Sequence, residues 1–271
     1  MKRRLSIGLL ILVLIAGAHP TSILGDTPLP EDAVAVNNKG VDLAQAGRHQ
    51  EAIESFRLAI RLQSQLTSAY YNLGSEYQRL GQLNAAIDAF KQALLLDPHY
   101  AAAYNNLGTA FFDLGQYANA ADAYRQAISS GPLLLTPYRN LGFVYLVSDK
   151  PDQALEVFKG AVRIHPEDVQ AQNDLGIALY MMKRYLDAIE VFRQAINIQS
   201  DMAAAHFNLA CASLAIADKE AALREHGMLL QLDPKMARQL YMIIYKDKLL
   251  DVAEACTRRS CALTLQTTNV Q

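Results

Sequence analysis

Five asparagines, Asn38, Asn72, Asn106, Asn140 and Asn208, fall on a single 34-residue step, and Asp174 takes the remaining place in the series. A carboxamide offers one acceptor and two donors, the complement of a peptide group. A row of such side chains on one face suits an extended main chain, giving affinity with little choice of side chain. Other candidate chemistry is sparse. Of the histidines beyond the N-terminal region, His49, His99 and His165 read as helix-end or turn residues. His206 and His226 hold related slots in one unit, but no acid ligands stand at a fixed spacing from them, so no metal site is expected. There is no nucleophile elbow, P-loop, dinucleotide glycine fingerprint or H-E-x-x-H. No catalytic residue and no cofactor is therefore expected, and the chain does not read as an enzyme.

Three cysteines are present. Cys256 and Cys261 lie close together near the C-terminus and are expected to pair in an oxidising compartment. Cys211, inside an expected helix, would then be left single. The N-terminus reads as an export signal: Lys2, Arg3 and Arg4, then an apolar run from Leu5 to Ile15, then the small residues Ala16-Gly17-Ala18. The run is shorter than the roughly 20 residues that span a bilayer. Residues 1–18 are thus expected to be a cleaved signal peptide, placing the protein in the periplasm or outside the cell. The alternative is an uncleaved membrane anchor through residues 5–18. Without the three basic residues of this segment, 22 basic side chains face 27 acidic ones. That balance gives no electrostatic footprint for nucleic acid.

The elements that position these residues repeat. Gly40, Gly74, Gly108, Gly142 and Gly176 recur at the same 34-residue step, with Ala210 in the sixth place. Twelve residues after each comes an alanine: Ala52, Ala86, Ala120, Ala154, Ala188 and Ala222. Four further on stand Phe56, Phe90, Tyr124, Phe158, Phe192 and His226. Prolines at Pro98, Pro132, Pro166 and Pro234 close four of the units. This pattern resembles the tetratricopeptide repeat family in every unit, most closely in YYNLGSEYQRLGQLNAAIDAFKQALLLDP of the second. The resemblance implies an all-α, right-handed solenoid of six helix-turn-helix units at 33–66, 67–100, 101–134, 135–168, 169–202 and 203–236. Residues 19–32 are expected to be a linker, 237–250 a capping helix and 251–271 a flexible tail. Within each unit, the small residue lets a neighbour approach closely and the aromatic ring fills the space between helices. Gly47, Gly81 and Gly115 end the first helix where positive φ is often needed. Pro151 fits the first turn of a helix. No unit buries its apolar face alone, so stacking supplies the core.

The resemblance also implies a groove lined by the first helix of each unit. Asn38, Asn72, Asn106, Asn140 and Asn208 take its sixth position, similar to the asparagine ladder in the repeat superhelix of O-linked N-acetylglucosamine transferases. Asp174 would interrupt the ladder and repel an acidic ligand. The other groove positions are mostly polar in units one to three (Gln45, Ser75, Gln78, Arg79, Thr109, Asp113). They are apolar in units four to six, where Phe143, Leu146, Val147, Ile177, Tyr180, Met181 and Leu214 form a half-groove. That half-groove either meets a partner or is covered by the capping helix or the tail. The basic residues of the clamp that grips acidic chaperone termini are missing. The function implied is a scaffold binding a peptide or extended segment of another polypeptide through Asn38, Asn72, Asn106, Asn140, Asn208, Phe143, Ile177, Tyr180 and Met181. The alternatives are a structural subunit of a cell-envelope assembly or secretion complex, or an accessory subunit that recruits substrate for a separate enzyme.

Overall fold

A computed structural model describes residues 32–245. The expected signal peptide, most of the expected linker, Cys256, Cys261 and the tail lie outside these residues. The described residues form thirteen helices and no strand. Six are first helices (A) of a pair: α1 Ala33–Gln45, α3 Thr67–Arg79, α5 Ala101–Asp113, α7 Leu135–Val147, α9 Val169–Met181 and α11 Ala203–Ala215. Six are second helices (B): α2 His49–Leu62, α4 Leu83–Leu96, α6 Tyr117–Ser130, α8 Pro151–Ile164, α10 Tyr185–Ile198 and α12 Lys219–Leu232. The last, α13, runs Pro234–Tyr245. Each helix packs on the next in the chain, and each A helix also touches the next A helix. The architecture is an all-α solenoid with the closely spaced A helices on its inner side.

The repeated residues explain the regularity. A Cβ added to Gly40, Gly74, Gly108, Gly142 or Gly176 would lie 2.3–2.7 Å from the ring of Phe56, Phe90, Tyr124, Phe158 or Phe192 in the same unit. The glycine is there because an aromatic ring of the B helix lies against the A-helix backbone. These five rings and the alanines beside them are almost fully buried. Burying each ring is worth roughly 2–3 kcal/mol.

The A-to-B turns are all of one kind. After α1, Arg48 N–H donates to Leu43 O and Gly47 N–H to Ala44 O, the double bond of a Schellman turn. The same pair recurs in all six units. Gly47, Gly81 and Gly115 hold the positive φ this turn requires, and Asp149, Lys183 and Ala217 hold it in the last three units. Glycine is therefore a convenience at this position, and the three later residues accept strain of about 1 kcal/mol each.

Pro151 opens α8 as expected. Helix α13 starts earlier than expected, at Pro234 rather than 237. Asp233 caps it, accepting from the N–H groups of Lys235 and Met236 at 2.9 and 3.1 Å. A proline at the first helical position loses no bond, so the residue that ends α12 also begins α13. Helix α13 packs on α11 and α12, with Ala237 and Leu240 fully buried. Its expected continuation to 250 lies outside the described residues. No helix among the described residues is long and apolar enough to cross a membrane.

Candidate functional site

The asparagine series makes bonds that run from one unit to the next. Asn72 Nδ2 donates to Asn37 Oδ1 at 3.0 Å, and Asn106 Nδ2 to the Tyr71 hydroxyl at 3.2 Å. Asn140 Nδ2 donates to Asn105 Oδ1 at 3.1 Å, and Asn208 Nδ2 to Asn173 Oδ1 at 2.9 Å. Every bond joins the sixth residue of one A helix to the fifth residue of the A helix before it. All five junctions are braced in this way, because at the fourth Arg139 Nε donates to Asp174 Oδ2 at 2.6 Å. Each neutral bond contributes about 1 kcal/mol.

Several expectations change as a result. Asp174 is fully buried and ion-paired, so it does not stand in the groove to repel a ligand. Burial pushes its carboxyl up to about 6 despite the attraction of Arg139. Asn38, on the first of the described helices, is exposed. Asn72, Asn106 and Asn140 are half-buried, and Asn208 is buried against Asn173. Asn37, Tyr71, Asn105, Arg139 and Asn173 went unnoticed as partners. The signal that would have found them is a spacing of 35 rather than 34, with the acid Asp174 answered by the base Arg139.

The remaining groove positions divide the array in two. In units one to three the ninth residue of the A helix is Val41, Ser75 or Thr109, each half-buried. In units four to six it is Phe143, Ile177 or Cys211, each at most 4% exposed. Leu146 and Tyr180, at the twelfth position, are also buried, Met181 and Leu214 are half-buried, and Val147 is exposed. Phe143, Leu146, Ile177 and Tyr180 of the apolar half-groove are thus withdrawn from solvent. Among the described residues, five buried side-chain atoms have no hydrogen-bond partner: Arg139 Nη2, Gln172 Oε1, Asn173 Nδ2, Asp174 Oδ1 and Tyr180 Oη. All five lie on α7 and α9.

Cys211, expected to be single, is disulfide-bonded. The two histidines of unit six do not form a pair. His206 lies between Glu225 Oε2 at 2.6 Å and Ser200 O at 2.9 Å, while the His226 ring lies 5.9 Å from that of Tyr241. Among the described residues no group of three or more His, Cys, Asp or Glu is placed to hold a metal.

The tetratricopeptide repeat family matches residues 31–98 and 133–201, and again residues 71–133. No curated protein matches the chain significantly. Among solved structures, YrrB, described as a tetratricopeptide repeat protein with an unusual peptide-binding site, is 22% identical with a TM-score of 0.57, covering 70% of this chain and 98% of its own. PilF from Pseudomonas aeruginosa is 21% identical with a TM-score of 0.64, covering 77% of this chain and 96% of its own. MamA is 26% identical with a TM-score of 0.56, covering 59% of this chain and 94% of its own. With six helix pairs in one register and a family match over more than half its length, the chain belongs to the tetratricopeptide repeat family, and its fold is that of a protein–protein interaction scaffold.

Proposed function

We propose that the protein is an exported scaffold that receives an extended polypeptide segment along the inner face of units one to four. The carrying observation is the state of Asn72, Asn106 and Asn140. Each is half-buried on the inner side and uses one N–H on the preceding unit. The brace fixes each carboxamide in place; Asn106 Oδ1 also accepts from Asn105 Nδ2 at 3.3 Å, while Asn72 and Asn140 keep the carboxamide oxygen and a second N–H for a ligand. Pre-set amides bind a main chain with less ordering cost than free ones. Ser75 and Thr109, also on this face, each donate a hydroxyl to the carbonyl four residues earlier. Export is supported by the N-terminal pattern and by the disulfide at Cys211, since structural disulfides persist in oxidising compartments.

The test uses a photocrosslinking amino acid placed at Ser75 or Thr109 on the inner face, and at Glu54 or Asp122 on exposed B-helix surface. In the source cells, capture of one polypeptide from the inner positions alone is the expected result. Capture from the outer positions alone would assign the partner to the opposite face and sink the groove reading. Fractionation of the same cells tests export: recovery in the cytosol at full length would rule it out. Alanine at Asn72, Asn106 and Asn140 together is a poor probe of binding, because it removes the braces of three junctions.

A further inference from the structure

We propose that unit six is held by a proton-operated latch: His206 of α11 keeps a hydrogen on each ring nitrogen, one bonding Glu225 of α12 and one the backbone before α11, so that unit six and α13 loosen as pH rises. The buried His206 ring meets an acceptor at both nitrogens. Nε2 lies 2.9 Å from Ser200 O, and Nδ1 lies 2.6 Å from Glu225 Oε2. A neutral imidazole has one N–H, and only the imidazolium has two. The neighbouring units show which role Nε2 plays. In three successive units the fourth residue of the A helix reaches back six residues to a carbonyl. The Tyr138 hydroxyl donates to Pro132 O at 3.2 Å, and Gln172 Nε2 donates to Pro166 O at 3.1 Å. A carbonyl only accepts, so His206 Nε2 is the donor in the same bond to Ser200 O.

The second contact belongs to unit six alone. In units one to five the equivalent B-helix residue is Ser55, Ala89, Ala123, Val157 or Val191, and in unit six it is the acid Glu225. Nδ1 therefore faces a carboxylate while Nε2 is already committed as a donor. The contact needs a second hydrogen, which sits on Nδ1 because imidazole is ordinarily a stronger base than a carboxylate. Removing it costs one bond whichever nitrogen gives it up, since one N–H cannot serve two acceptors. His49 provides the contrast. Its Nδ1 meets Glu76 Oε2 at 2.8 Å, but its Nε2 bonds nothing among the described residues, so a single N–H satisfies it.

Among the described residues no other charged group bonds this ring. Helix α9 brings Asp174, paired with Arg139, and Tyr180, whose ring stacks on Tyr185 of α10. The turn before α11 brings Asp201, which accepts from Gln199, and Asp218 caps α12. On α12 and α13, His226 and Tyr245 each stack on Tyr241. The charged side chains of α10 and α13 and the remaining ones of α12 are exposed. The two bonds of His206 require its proton and the unfolded chain does not, so by linkage the latch is engaged at the acid end and released as pH rises. Release frees α11 from α12 and from the turn before it, and α13, which rests on both helices, loosens with them.

The latch needs no ligand, so its test stands apart from the scaffold reading. Hydrogen exchange of the full chain, corrected for its intrinsic dependence on pH, is followed from about pH 5.5 to about pH 9, a range that brackets ordinary histidine titration. Protection of α11, α12 and α13 should fall roughly tenfold more than that of α3 and α4. Asp174 titrates in the same range, at about 6, so a Glu225→Gln variant separates the two. It keeps Asp174 and offers a neutral Nδ1 a carboxamide N–H to accept. In this variant the extra fall in α11 and α12 should vanish. A fall of wild-type size in Glu225→Gln would assign the effect to Asp174 and overturn the latch, as would equal behaviour of α11 and α3 in the wild type. The ring nitrogen shifts of His206 in the wild-type chain, read by NMR, need no variant. Two protonated nitrogens at the acid end and one at the alkaline end are expected. A ring that keeps the same number of protons throughout would overturn the proposal.

Discussion

Units two and three and units five and six share one helix pattern but bury it differently. Helices α3 and α5 bury five and four residues, one face of an amphipathic helix. Helices α9 and α11 each bury nine of thirteen, including Asn173, Asp174, His206 and Asn208. The backbone is the same in both halves, with the same Schellman turns and a bond between the sixth and fifth residues at each junction; a buried ring lies under the A helix in units two, three and five, and unit six carries His226 in that slot. What differs is the inner face, polar and open at one end, apolar and closed at the other. A repeat scaffold thus separates the residues that hold the stack together from those that face a ligand, and the second set varies while the first stays constant.

The largest effects should be alike in the two halves. Phe90→Ala and Phe192→Ala each remove a fully buried ring and should cost about 4 kcal/mol of local stability, read by hydrogen exchange of their own units. A much smaller cost for Phe192 would mean that the covered groove, rather than the inter-helix core, holds the second half. The next effect should separate the halves. Asp174→Ala leaves the half-buried Arg139 without its counter-charge and should cost about 3 kcal/mol at neutral pH. The equivalent Asn106→Ala should cost about 1 kcal/mol. Equal costs would show that Arg139 swings out to water.

The pH dependence sharpens the same contrast. The folded value for Asp174 is raised to about 6, and an unfolded aspartate titrates near 3.9. A raised folded value means that the favourable contribution is complete below about pH 4 and is lost as pH rises through 6. Wild type should therefore lose on the order of 2 kcal/mol relative to Asp174→Asn between pH 4 and 7, measured by urea melts at each pH. A difference that stays flat across that window would show that the carboxyl is not desolvated. The smallest effects lie in the turns. Lys183→Gly or Ala217→Gly should relieve the positive φ and stabilise by about 0.5–1 kcal/mol, whereas Gly81→Ala should destabilise by about 1 kcal/mol. If Lys183→Gly destabilises instead, the lysine side chain makes a compensating contact.

The 34-residue period, the helix pairs, the small residue under each ring and the glycine turns were all legible in the chain, because each depends on residues close together within one unit. Pro151 at the head of α8 was legible for the same reason. The asparagine series was legible as a series, and its purpose was not. It reads as a row of free amides, and stacking turns each amide toward the unit before it. Position five of one A helix and position six of the next are 35 residues apart in sequence. They meet only because successive A helices pack side by side, so Asp174 is unreadable without Arg139. The burial of Phe143, Ile177 and Tyr180 and the bonded state of Cys211 were likewise decided by tertiary structure. Local patterning determines that these residues point inward from an A helix; whether solvent or protein lies on the inner side depends on contacts made across several units.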